Sequence, residues 1–80
     1  MIDPAGFDDT RALVQKAKAA RLQTQVESCK ALEKQAFRLS ELARESDLPF
    51  LVYLFDMARV AAVDERAKLQ RHIGALQGRG

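Results

Sequence analysis

Ser46-Asp47-Leu48-Pro49-Phe50-Leu51-Val52-Tyr53-Leu54-Phe55 holds both features that decide how this chain folds. Its first four residues read as a helix stop followed at once by a helix start. Proline disfavours helical geometry at the residue before it, here Leu48, and is welcome in the first turn of the helix that follows. Ser46 or Asp47 is placed to cap that helix. The remaining six residues are all apolar or aromatic. On a helix each step turns ~100°, so such a run points in every direction and one neighbouring helix covers only part of it.

Upstream of this stretch, residues 7 to 48 contain neither proline nor glycine. Ala, Leu, Gln, Glu, Lys and Arg dominate, and these are strong helix formers. Asp8, Asp9 and Thr10 are placed as N-caps, with carboxylates suited to the positive end of the helix dipole. The expected first helix therefore runs from about Asp9 to Glu45, roughly 55 Å at ~1.5 Å per residue. The second runs from about Pro49 to Gln77, with fraying at Gly74. A linker this short makes the helices antiparallel neighbours. The expected organisation is a flexible segment at 1–8, a helical hairpin at 9–77 and a disordered tail at 78–80.

The apolar seam of the first helix changes direction near Gln23-Thr24-Gln25. Leu13, Ala17 and Ala20 share one face. Cys29, Leu32, Ala36, Leu39 and Ala43 follow a 3-4-3-4 spacing on another, which suits left-handed packing of long helices. A kink at the change of direction would give a three-helix variant.

Eighty residues allow one small domain, marginal without a staple. Cys29 is the only cysteine, so no disulfide can form within the chain, and Cys29 with His72 cannot fill a closed structural zinc shell. Association is the remaining route. Two-fold pairing of hairpins into a four-helix bundle covers the exposed side of the apolar run, and Phe50, Leu51, Tyr53, Leu54, Phe55 and Met57 are the expected protein interface. A monomeric three-helix bundle and an obligate complex with a different protein are the alternatives.

Nothing in the sequence points to catalysis. A Gly-rich phosphate loop, a G-x-S-x-G elbow, H-E-x-x-H and C-x-x-C are all missing, and neither a cofactor nor a metal is expected. Cys29 reads as a small buried hydrophobe. His72 reads as a solvent or interface histidine near a helix C-terminus. Asp56 and Arg59, spaced i, i+3 within the apolar helix, read as an intrahelical ion pair, or else as a polar element fixing register across an interface.

Charge is uneven along the chain, although its net value is only +2. Residues 10–44 carry eight basic against three acidic side chains, 45–65 one against five, and 66–80 four against none. An antiparallel hairpin is expected to bring Arg11 and Lys18 beside Arg66, Lys68 and Arg71, a candidate surface for anions or nucleic acid. The stripe of Lys30, Lys34 and Arg38 is neutralised by Glu27 and Glu41, and no aromatic side chains interleave with these basics to stack on bases. The start Met1-Ile2-Asp3-Pro4 lacks the features of a signal peptide, and residues 50 to 63 are too few to span a bilayer. The single unpaired cysteine fits a reducing compartment, so a cytoplasmic protein without a membrane partner is expected. The sequence as a whole points to a small non-enzymatic regulatory or adaptor protein of bacterial type. It would act as a homodimer through contacts with protein, with nucleic-acid binding as the alternative.

Overall fold

The computed structural model describes residues 4–77, with side chains from residue 11 onward. The expected tail at 78–80 lies outside the described residues. Two α-helices make up the fold: α1, Pro4–Glu45, and α2, Pro49–Gln77. They pack against each other as an all-α hairpin with overall dimensions of 69 × 17 × 13 Å.

α2 has the bounds expected from sequence, and α1 ends where expected. Its start is earlier. Helix begins at Pro4, a residue suited to a first turn, so Asp8, Asp9 and Thr10 lie inside α1 and do not cap it. Residues 4–8, expected to precede the helix, belong to it. No break occurs at Gln23–Gln25, and the three-helix alternative falls. The Thr24 hydroxyl there donates to the Ala20 carbonyl at 3.1 Å, a bond to the preceding turn that leaves the backbone ladder intact.

The turn between the helices is built by backbone geometry. Asp47 sits in the left-handed region with φ 61°. Its N–H donates to the Arg44 carbonyl at 3.1 Å, and the Leu48 N–H donates to the Ala43 carbonyl at 2.9 Å. This pair of bonds is a Schellman closure, which satisfies the last carbonyls of α1. The Leu48 carbonyl then accepts the first bond of α2, from the Val52 N–H at 3.1 Å. Leu48 is therefore the N-cap residue and Pro49 the first helical position. Neither Ser46 nor Asp47, the expected caps, takes that place.

The contact seam of α1 runs through Leu22, Val26, Cys29, Glu33, Ala36, Ser40 and Ala43, all buried or half-buried. Cys29, Ala36 and Ala43 lie in the seam as expected, but the positions between them differ by one residue from the predicted ones. Leu32 and Leu39, expected in the seam, are 58 % and 41 % exposed, and Glu33 and Ser40 take their places. The reason is steric and electrostatic together. Cys29, Ala36, Ser40 and Ala43 are small and let the helices approach, while Glu33 and Ser40 find polar partners on α2.

The closely packed interior is thin. Among the described residues only Val26, Cys29, Ala36, Ala43 and Ile73 are buried apolar side chains.

Two backbone positions give direct tests. An L-residue in the left-handed region is strained, by ~1–2 kcal/mol for ordinary side chains and less for Asp. Asp47→Gly is expected to raise stability by about 0.5–1 kcal/mol, and Asp47→Val to lower it by more than that. Gly74 lies inside α2, and a Cβ added there meets nothing within 4 Å. Gly74→Ala is expected to stabilise by about 0.5–1 kcal/mol, since alanine loses less backbone freedom on entering a helix. Thermal melts followed by circular dichroism check all three.

Candidate interaction surface

Polar rungs tie α1 to α2 along one side of the seam. The buried Ser40 hydroxyl donates to Asp56 Oδ1 at 2.6 Å. Asp56 Oδ2 lies 3.8 Å from Arg44 Nη2, and Arg44 also reaches Glu41 through Nη1. Further along, Arg66 Nε donates to Glu33 Oε2, and Arg66 Nη2 donates to Glu33 Oε1 at 3.3 Å. Between these rungs the Arg59 guanidinium sits 5.1 Å from the centre of the Phe37 ring, within the range of a cation–π contact. The expected intrahelical pair of Asp56 with Arg59 does not form. Each reaches across to α1 instead, and together they fix the register of the hairpin itself.

The Glu33–Arg66 rung is half-buried and two-pronged, the strong form of charge-assisted hydrogen bond. The bond from Arg66 holds the Glu33 carboxyl below its usual value of 4.5, against the opposing effect of desolvation. The same bond raises the Arg66 guanidinium above its ordinary range.

This register overturns the expected basic cluster. Glu33 faces Arg66 and Ser40 faces Asp56, so the end of α2 lies level with about residue 21 of α1. Roughly sixteen residues of α1, ~25 Å of helix, extend beyond it. Arg11 and Lys18 stand on that overhang and do not approach Arg66, Lys68 or Arg71. Arg66 is engaged by Glu33, and Lys68 pairs with Asp64 at 3.4 Å. Lys18, Arg71 and His72 are exposed.

The expected interface residues do not share one face. Phe50, Tyr53 and Met57 are 69 %, 59 % and 49 % exposed, and Leu51 and Leu54 are also exposed. Phe55 is half-buried and lines a groove between the helices together with Leu39 and Ala58. Sequence reasoning missed a larger apolar surface. Fourteen large apolar side chains are exposed among the described residues, and they include Leu32, Phe37, Leu39 and Leu42 of α1.

The two flanks of the hairpin differ in chemistry. One carries an open groove of about 650 Å³ lined by Phe37, Arg44, Asp56, Arg59 and Asp64, among others. The other carries a groove of about 500 Å³ lined almost wholly by apolar atoms, including Leu32, Leu39, Phe55, Ala58 and Ala61. The described residues hold no cluster of three His, Cys, Asp or Glu side chains able to bind a metal. No helix among them is long and apolar enough to cross a membrane. Comparison with known protein families, with curated proteins and with solved structures finds no match for the chain.

The Glu33–Arg66 rung carries a pH dependence. A carboxyl whose pKa is lower in the folded than in the unfolded chain stabilises the fold above the unfolded value, and that contribution is lost as pH falls through the folded one. Stability is expected to fall as pH drops below 4.5 and through the lowered pKa of Glu33. Glu33→Gln should be less stable than the parent at neutral pH and lose less on acidification. Parallel melts across that window test this, and equal losses would show that the rung contributes nothing.

Proposed function

We propose that this chain is a non-enzymatic regulatory or adaptor protein that acts through protein–protein contact as a helical homodimer. The observation that carries the reading is the imbalance between interior and surface. Among the described residues five apolar side chains are buried and three of them are alanine or cysteine, while fourteen large ones stand exposed. Each large apolar side chain is worth ~1.5–3 kcal/mol when fully buried, and exposed apolar surface on this scale marks an interaction site. A second copy is the partner present whenever the chain is made, and two-fold dimers are the commonest soluble oligomers. The shape agrees with a binding role. Two side-by-side helices present long faces and open grooves, and catalysis needs convergent groups held in an enclosed site. A reducing, cytoplasmic setting fits Cys29, which is a buried free thiol.

The nucleic-acid alternative loses its geometric support, because the register separates Arg11 and Lys18 from the basic end of α2. Binding to random duplex DNA or RNA at physiological salt is expected to be weak. A salt-sensitive gel shift abolished by joint replacement of Arg66, Lys68 and Arg71 with Gln would reverse that expectation.

Light scattering on a sizing column at micromolar concentration is expected to give twice the 8.9 kDa chain mass. A single-chain mass would end the homodimer reading. Leu54 is 43 % exposed in the single hairpin. Leu54→Ala should therefore cost little in a monomer but about 2–3 kcal/mol where a partner covers the site, with a melting temperature that rises with protein concentration.

A further inference from the structure

We infer that two copies pair α1 against α1, antiparallel, along the side of that helix turned away from α2, with a two-fold axis level with Lys30 and Ala31. This rests on the homodimer reading above and gives that dimer its orientation and register.

Charge on the exposed side of α1 points to this arrangement. Helical spacing puts Lys16, Ala20, Gln23 and Glu27 on one line, which continues through Lys34, Arg38, Glu41 and Glu45. The line runs about 140° round α1 from the seam that holds α2, and every position on it is exposed. Its spacing is the same read from either end, and its charges invert about the midpoint between Lys30 and Ala31. Lys16 mirrors Glu45, Ala20 mirrors Glu41, Gln23 mirrors Arg38 and Glu27 mirrors Lys34. Such a line is complementary to an antiparallel copy of itself. On a two-fold axis each position meets its mirror position, so Lys16 meets Glu45 and Glu27 meets Lys34, each twice, and no like charges meet. Among the described residues Lys16, Lys34 and Glu45 form no ion pair within the chain, and Glu27 pairs only with the exposed Lys30.

Uncharged side chains beside that line fit the same register. Ala17 comes within one residue of level with Leu42, and Thr24 with Gln35, while Leu13 reaches Leu48 of the second copy. Leu13, Leu42 and Leu48 are all exposed in the single hairpin. Part of the overhang of each copy thus gains cover from the turn end of the other. A parallel pair has neither match. It sets the charged line against the opposite flank, where Val14, Gln25 and Leu32 offer lysine nothing, and it lays two stretches 10–26 side by side, each with four basic residues and no acidic one. A different protein would need the same order of signs along its own helix, whereas a second copy carries it by symmetry. Flanking charges of this kind set orientation and partner choice more than strength. Two helices in contact from 16 to 45 share ~44 Å of length, and a strip ~10–12 Å wide covers roughly 1,000 Å² over both copies, the lower bound for a specific interface.

Cross-linking reads orientation and register. In a Cys29→Ala background, chains carrying Gln23→Cys and chains carrying Arg38→Cys are expected to join by a disulfide when mixed and oxidised. Neither should join to itself, because each position lies ~20 Å along the axis from its own image in the second copy. If each variant joins only to itself, the homodimer stands and the antiparallel assignment falls. A two-chain mass with no mixed disulfide also overturns the assignment. Charge reversal tests the contacts themselves. Lys34→Glu places like charges opposite Glu27 at two points and is expected to raise the dimer dissociation constant about tenfold. Joint Glu27→Lys and Lys34→Glu should restore the parent value, which loss of fold could not do. A constant unmoved by Lys34→Glu, or left high in the joint variant, overturns the pairing. A parent protein with a one-chain mass ends the homodimer reading and this inference together.

Discussion

The register between the helices is the constraint on which the rest of this molecule depends, and polar groups set it. Ser40 on Asp56 and Glu33 on Arg66 are directional contacts between specific atoms. A seam of alanine, serine and cysteine is nearly uniform in bulk and would tolerate sliding by a turn. A hydrogen bond of 2.6 Å from a buried hydroxyl to a carboxylate would not, because moving either partner leaves a polar group unsatisfied in a part-buried site. The rungs thus contribute more to uniqueness than to stability. This use of polar residues is well attested in coiled coils, where one interior polar position specifies alignment.

Three consequences follow from that register. The shorter α2 stops level with about residue 21 of α1, so roughly the first sixteen residues of α1 stand alone. An isolated helix of that length is marginal in water, so the overhang depends on the packed part of α1 or on contacts outside the single chain. The small-residue seam brings the helices close and displaces Leu32 and Leu39 to the flank. The polar rungs lie on one side, which divides the surface into a charged flank and a mostly apolar one. A hairpin with so narrow a seam leaves most of its large apolar side chains at the surface; under the proposed self-association its folding would be coupled to assembly.

Much of the fold was legible in the sequence because it rests on local rules. The breaker-free run from 7 to 48, the stop at Ser46–Leu48 and Pro49 at a first helical position require only backbone sterics and propensity. The candidate surface was legible in part. A six-residue apolar run must leave some of its side chains uncovered whatever it packs against, so exposure within 50–55 followed from period alone, and the structure shows that it falls on Phe50, Leu51, Tyr53 and Leu54. The start of α1 was misplaced because Asp8, Asp9 and Thr10 resemble caps, yet nothing at that point forces a helix to begin.

What the sequence determined by itself was the number of helices, the place of the turn and the surplus of apolar side chains over the room inside one hairpin. Only the tertiary structure decided which stripe of α1 faces α2. Two adjacent stripes share the 3-4 spacing, one richer in leucine and one holding Glu33 and Ser40. Hydrophobicity favours the first, and sequence reasoning followed it. The chain uses the second, because Glu33 and Ser40 meet Arg66 and Asp56 across the seam at separations of 33 and 16 residues. Pairings at that distance leave no periodic trace. The separation of Arg11 and Lys18 from the basic end of α2 has the same origin, since a register is a relation between two helices and neither one encodes it alone.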